Sequence, residues 1–479
     1  MTCQKSFSAQ SHSGPPLLKR FEDYLLEGGK GYFRPGLPVT AARAPGRIDV
    51  MGGIADYSGS VVLEGTLGRA AVLACQERGD RRLRVRSTLL EEQGLPCEVE
   101  LPLEALREGG RPASHEQARE VLAREPERAW AAYVLGAAVV LEREGMARLN
   151  TGMDFLLWSD VPIGVGVASS AAVEVATMYA LTNSLGVELQ PERLAALAQV
   201  VENSVVGAPC GIMDQVTSAL GEAGKLLALR CQPCEVLDQV ELPPDLAVFG
   251  ISSRVEHRVG GKAYARARAS AFMGLKIILA QMQALGMPIT ERGRYLCNIT
   301  PQQYRETFRH VLPESVRGSE FTARWGETPD SVTSVAPDET YSVRAATEHP
   351  IYENQRVQAF IECIERARAG DTAALLEAGG LMGESHSSYG HNCGLGCRET
   401  DLIADLARAR GPAEGIYGAR ITGGGCGGTV AVLARKDAAE TVRAVAAGYE
   451  AQTGIRPDIF DSTSPGAYAL GPCRYVLEL

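Results

Sequence analysis

Apolar and polar positions follow two rhythms along this chain. Short apolar or alternating runs at Ala70–Cys75, Arg82–Ser87 and Met153–Trp158 predict strands. Over Ala171–Ser184, Leu194–Asn203 and Ala263–Leu285, apolar residues recur three and four apart, which predicts helices. Ala129–Leu141 is apolar almost throughout but too short to span a bilayer, so it reads as a buried helix. A second group closes the chain, with helices over Val357–Ala367, Thr400–Ala409 and Asp437–Thr453 and strands at Gly418–Thr422 and Thr429–Leu433. Strands and helices mixed along the whole length predict an α+β fold with two lobes. We place a lead-in segment at 1–38, with one helical piece near Leu17–Leu26. A first lobe at 39–243 and a second at 244–479 follow, and Pro288–Pro350, rich in Pro, Thr, Arg and Glu, reads as an irregular insertion in the second.

Composition narrows the function classes. At 479 residues the chain exceeds a single core, which agrees with two lobes. A formal charge of −10 argues against nucleic acid or an anionic membrane as the main partner. A nucleotide remains open, because phosphates need only a local set of amides and cations. The opening MTCQKSFSAQSHSGPPLL lacks the basic-then-apolar pattern of a signal peptide, and a cytoplasmic location is expected. The 12 cysteines are scattered, and reduced thiols are expected. The pairs Cys231/Cys234 and Cys393/Cys397 lie too far apart in sequence to favour a four-ligand zinc site.

Candidate chemistry collects in glycine-rich stretches. RAPGRIDVMGGIADYSGS, Arg43 to Ser60, sets two arginines, two aspartates and a tyrosine among glycines. Those are the groups a loop needs to hold a small polar molecule. In VPIGVGVASSAAVEVATMYAL, Gly164 and Gly166 precede Ser169 and Ser170, which open a long helix. Free amides and the positive end of the helix dipole meet there and suit phosphate; a plain glycine turn with a serine cap is the alternative. No GxxxxGK[ST] occurs, so this is not a Walker loop. ITGGGCGGTVAVL fits GxGxxG at Gly423, Gly425 and Gly428, but a strand follows, so the dinucleotide fingerprint fails in context. Close backbone packing beside a ligand cleft is the expectation there. In VENSVVGAPCGIMDQ, Glu202 ends one helix and Asp214 begins another. Such a pair can divide between Mg²⁺ and a nucleophilic hydroxyl, or can be two surface carboxylates at helix ends.

Taken together, APGRIDVMGGIADY, PIGVGVASSAA and TGGGCGG resemble, in this order, the three motifs of the GHMP kinases, named for galactokinase, homoserine kinase, mevalonate kinase and phosphomevalonate kinase. GAPCGIMDQ, Tyr264 followed by Arg266 and Arg268, and MGESHSS extend the resemblance to the galactokinase branch, from about Arg43 onward. The resemblance implies a two-lobed fold with the active site in the cleft, and ATP, Mg²⁺ and a small sugar as partners. It implies that Pro162, Gly164, Gly166, Ala168, Ser169, Ser170 and Ala171 bind the nucleotide, with Ser170 and Glu202 near the metal. By the same resemblance Asp214 serves the anomeric hydroxyl as base or orienter, and Arg47 beside it stabilises the developing alkoxide and the transferred charge. Asp56 and Tyr264 hold sugar hydroxyls, with Gly53, Tyr57 and Gly211 beside them.

Departures from the pattern carry the substrate expectation. Galactokinases read GEHTDY where this chain has Gly52-Gly53-Ile54-Ala55-Asp56-Tyr57, and in that family the Glu and His contact the sugar's hydroxymethyl group. Gly53 and Ile54 offer no such hydrogen bond. L-Arabinose in its pyranose form matches galactose around the ring but lacks that group. DVMGGIADYSGS, VVGAPCGIMDQVTSA and HPIYENQRV look most like the kinase portion of plant L-arabinokinases, which implies L-arabinose as substrate. Ala168, where galactokinases have Ser, is expected to be tolerated because backbone amides carry most phosphate binding. The rival readings are a galactose or galacturonate 1-kinase, the latter needing a cation such as Arg258 or Lys262 near Gly53, and a non-catalytic sensor of ATP and sugar. Intact Asp214, Arg47 and Ser169-Ser170-Ala171 weigh against the sensor.

Overall fold

The computed structural model describes residues 4–5, 16–27, 31–256 and 260–477. Residues 1–3, 6–15 and 28–30 of the lead-in segment and Arg258 lie outside the described residues. A sheet of nine strands organises the first part of the chain. It comprises β1 (Gln4–Lys5), β2 (Pro38–Met51), β3 (Val61–Glu77), β4 (Arg82–Ser87), β5 (Glu98–Pro102), β6 (Met153–Ser159), β7 (Lys225–Arg230) and β8 (Glu235–Glu241), with the late strand β13 (Cys473–Val476). A four-stranded sheet serves the second part, in the order β10 (Ile416–Thr422), β11 (Gly427–Arg435), β9 (Leu246–Glu256), β12 (Ile459–Phe460). The chain therefore changes sheets between Glu241 and Leu246.

The long strands β2 and β3 are buried on both faces. Val39, Ala41, Ala70, Val72 and Ala74 pack with Leu17, Phe21 and Leu25 of helix α1 (Pro16–Glu27). Their alternating neighbours Ala42, Ala44, Ala71 and Leu73 face the main core, as a two-residue period requires. That core also takes residues of α2 (Ala132–Arg143), α3 (Ser169–Ser184) and α4 (Pro191–Val200). Residues 473–476, expected with the second lobe, lie instead in the first sheet. They pair with Pro38–Ala41 and so cover a strand edge that would otherwise present unpaired amides.

Two expectations change near the site. The helix expected over Leu194–Asn203 runs as α4 only to Val200 and continues in π-helical form over Val201–Val206, which carries Glu202. Such wide turns recur at functional sites. Pro288–Pro350 is not irregular throughout, since it contains a helix at Gly318–Trp325, and its last residues begin α7 (Val343–Arg368). Pro350 lies inside that helix, where proline usually breaks the hydrogen-bond ladder. Tertiary contacts around it outweigh the propensity: His349 Nε2 lies 2.9 Å from the Gly53 carbonyl, and Asn354 Oδ1 accepts from Val61 N–H at 2.9 Å. The remaining helices are α5 (Met213–Leu220), α6 (Gly260–Ala284), α8 (Ala374–His391), α9 (Arg398–Arg410) and α10 (Ala439–Thr453).

Candidate active site

Arg47 and Asp214 meet although 167 residues separate them. Arg47 Nε and Nη2 donate to the two Asp214 carboxylate oxygens at 2.8 and 2.9 Å, a bidentate pair with high geometric definition. Arg47 Nη1 donates to the Gly166 carbonyl at 2.8 Å, which fixes the guanidinium under the glycine loop. Asp214 keeps one-fifth of its side chain exposed, whereas Arg47 is almost wholly covered. Burial works against the Arg47 charge, but Asp214, Glu64 and Asp49 outweigh it and hold its pKa above the ordinary arginine range.

The loop over Arg47 is built by close approach of backbone. Gly164 and Gly166 adopt left-handed backbone that side chains rarely tolerate. Ala168 is left-handed too, an uncommon conformation for alanine, and no side chain caps the α3 amides that follow it. Those first-turn amides are thereby left to an anion. The third glycine stretch packs directly on this loop: a Cβ on Gly423 would lie 2.6 Å from the Gly166 carbonyl oxygen, and Thr429 Oγ1 donates to the Val165 carbonyl at 2.7 Å. Here the expectation of close packing rather than dinucleotide binding matches what the glycines do.

Beside the loop, Ser170 stands next to Glu202, and its hydroxyl partly offsets the burial that raises the Glu202 pKa. Gln215 Nε2 donates to Glu202 Oε2 at 2.9 Å and to Glu174 Oε2 at 3.1 Å. Glu174 Oε1 is buried with no partner. Burial pushes both glutamates' pKa values up, Glu174 further than Glu202. Two neighbouring carboxyls bridged by the Gln215 amide, with a hydroxyl alongside, supply oxygen donors that suit Mg²⁺, and the Cys210 sulfur lies 3.8 Å from Gln215 Nε2 at their edge.

Asp56, Tyr57, Gly211 and Tyr264 form a third group. A Cβ on Gly211 would sit 1.5 Å from Asp56 Oδ2, so the glycine makes room for that carboxylate. Burial first, then the Asp214 charge, pushes the Asp56 pKa up to about 6. Tyr57 meets Tyr264 edge-on at 6.1 Å between ring centroids, and Arg268 lies 5.4 Å over the Tyr57 ring. Arg268 is itself held by a bidentate pair with Asp330, at 2.9 and 2.8 Å. A cavity of about 780 Å³ is lined by Asp56, Tyr57, Cys210, Gly211, Arg268 and Asp330 but by neither Arg47 nor Asp214. Gly53 and Ile54 are buried, and Lys262 is exposed on α6.

Several charged residues of this region received no individual role in the sequence reading. Glu64 stands 3.3 Å from Arg47, buried, with neither carboxyl oxygen hydrogen-bonded. Asp49 pairs with Arg420 at 2.9 Å, both wholly buried. Glu353 Oε1 accepts from Gly52 N–H at 3.2 Å and from Ser385 Oγ at 2.5 Å. A usable signal existed: Glu64 and Glu174 are lone acids inside apolar runs, VVLEGTL and AAVEVATM.

The chain matches the family models "GHMP kinases N terminal domain" over residues 132–222 and "GHMP kinases C terminal" over 363–451. An L-arabinokinase of Arabidopsis thaliana is 37% identical across 93% of this chain, which spans 47% of that protein's length. A galactokinase of Chloroflexus aggregans is 33% identical, covering 87% of this chain and 90% of that protein. The galactokinase of Lactococcus lactis, solved in complex with galactose, shares the fold with a TM-score of 0.69 at 22% identity, covering 94% of this chain and 99% of that one. A mevalonate kinase of Methanococcus jannaschii does so with a TM-score of 0.52 at 14% identity, over 88% and 96% of the two chains. Among the described residues no helix is long and apolar enough to cross a membrane. By motif, by identity and by fold, this chain belongs to the GHMP kinases, on their galactokinase branch.

Proposed function

We propose that this protein is an ATP-dependent sugar-1-kinase that converts L-arabinose to L-arabinose 1-phosphate. The observation that carries the kinase reading is the bidentate Arg47–Asp214 pair, bonded from below to the phosphate-type loop at Gly166. In the reaction the anomeric oxygen attacks the γ-phosphorus as the bond to the ADP oxygen breaks. The hydroxyl proton passes to Asp214, whose exposed fraction leaves a face for the sugar. Arg47 stays in place through its carbonyl anchor and neutralises charge on the moving phosphoryl group. Pro162, Gly164, Gly166, Ala168, Ser169 and Ala171 enclose the phosphates with backbone. Ser170 and Glu202 would hold Mg²⁺, which when bound neutralises phosphate charge. Asp56 and Tyr264 grip ring hydroxyls.

Arabinose is favoured because nothing at positions 53 and 54 serves a hydroxymethyl group. Gly53 has no side chain, and Ile54 is packed with Tyr57 in an apolar cluster. A hexose would bury a hydroxyl that neither residue 53 nor residue 54 can pair, at a cost of about 1–3 kcal/mol. ADP release measured with arabinose, galactose, galacturonate, fucose and mevalonate tests this. We expect kcat/KM for arabinose to exceed that for galactose by about ten- to two-hundred-fold. Equal use of galactose would overturn the arabinose assignment and leave the kinase standing; binding of ATP and sugar without ADP release would favour a sensor.

A further inference from the structure

Gly53 raises a question its backbone does not answer. Its φ lies outside the left-handed region, so no conformational need demands glycine there. The need is steric. A Cβ at this position would lie 2.1 Å from Asp49 Oδ2 and 3.2 Å from Arg420 Nη2. The Asp49 carboxylate thus fills the space into which a side chain at 53 would project.

Asp49 is committed to that place from several sides. Its Oδ1 accepts from Arg420 Nη1 at 2.9 Å, and its backbone N–H donates to Thr422 Oγ1 at 2.9 Å. Glu64 stands opposite it in the β2–β3 register, and a second buried carboxyl there opposes any retreat across the strand pair. Asp49 Oδ2 and Arg420 Nη2 and Nε remain buried without hydrogen-bond partners, next to the bare face of Gly53. Unpaired charged atoms of this kind are costly, and their retention calls for a role.

We propose that Asp49, braced by Arg420, is a specificity-determining residue. Its carboxylate walls the end of the sugar pocket where a galactokinase projects its Glu, and Gly53 is bare because Asp49 occupies that volume. This rests on the sugar-1-kinase reading for its functional half, but its steric half does not. Positions 49 and 53 are accordingly coupled, and a change at 53 succeeds only with a change at 49.

The test combines stability and sugar preference. Gly53→Ala should lower Tm by about 5 °C in the wild-type background and by much less in Asp49→Ala, because only the former retains the clash. Asp49→Ala should shift the arabinose-to-galactose ratio of kcat/KM toward galactose by about ten-fold, whereas the volume-conserving Asp49→Asn keeps the wall and should leave that ratio near wild type. Gly53→Glu should lose turnover of both sugars, and adding Asp49→Ala should recover part of it. Equal Tm losses from Gly53→Ala in both backgrounds would overturn the coupling. An unchanged sugar ratio in folded Asp49→Ala, or a shift in Asp49→Asn as large as in Asp49→Ala, would overturn the specificity role. A wild-type enzyme inactive on every sugar would sink the sugar-kinase reading and the specificity role together, while the stability cycle would still report the steric coupling.

Discussion

Arg43 and Arg47 lie four residues apart on β2 and are almost equally buried, at 2% and 3% exposure, yet their surroundings differ in kind. Arg43 has only neutral hydrogen-bond partners: Ser464 Oγ at 2.8 Å and the carbonyls of Gly68 and Pro465 at 3.0 and 3.4 Å. Burial pulls its pKa down to about 10, and Asp160 only partly restores it. Arg47 faces Asp214 and Glu64 directly, and those acids push its pKa the other way. Between the two arginines the β2–β3 register shifts, from Pro45 opposite Ala70 to Arg47 opposite Thr66. A break in pairing re-aims a strand, and here it divides a structural fastening from the proposed reaction centre. Burial of a charge says little alone; the sign and number of its partners say what it is for.

The largest effect should come from breaking the Arg47 side. Asp214→Asn should cut turnover by about a hundred- to ten-thousand-fold, read by ADP release, while Tm stays near wild type. A variant that kept more than half the wild-type rate would remove Asp214 from the proton transfer.

The acid-rich side should also depend on a cation. Glu202→Gln and Ser170→Ala should each raise the Mg²⁺ concentration for half-maximal rate by about ten-fold or more. Titrating Mg²⁺ at fixed ATP measures this, and an unchanged midpoint in both variants would take the metal away from this pair.

On the other side, Arg43→Met should cost about 1–3 kcal/mol of stability, since Gly68 O and Ser464 Oγ lose a charged donor. Its kcat per folded molecule should match wild type. A large kcat loss at unchanged Tm would mean that the fastening role is misassigned.

The smallest effect concerns Asp56. Its pKa is raised to about 6 when folded, so its contribution to stability is present at low pH and is lost as pH rises through 6. Lowering pH from 7 to 5 should therefore add about 1 kcal/mol from this group. Thermal melts of wild type and Asp56→Asn should differ by that increment; identical pH profiles would count against a buried, protonatable Asp56.

What was legible beforehand follows the range of the forces involved. The strand at Arg82–Ser87 and the helix ending at Ser184 were readable because hydrophobic period is local. Pro350 misled for the same reason, since local propensity says break while His349 and Asn354 hold the helix from outside. Arg47 and Asp214 were legible only through the family resemblance, which set the two side by side; the bidentate geometry and the Gly166 anchor came from the fold.

By itself the sequence determined the order of strands and helices and where glycine permits left-handed backbone and close approach, as at Gly164, Gly166 and Gly423. It also determined which functional groups were available. Those properties depend on neighbours in the chain. Tertiary structure alone decided which arginine faces acids, why Gly53 is bare and which carboxyls stay unpaired. The partners come from far away: Asp214 lies 167 residues from Arg47, and Arg420 lies 371 from Asp49. A buried charge is governed by whatever the fold brings within a few ångströms, because the low-dielectric interior makes those contacts outweigh local preference.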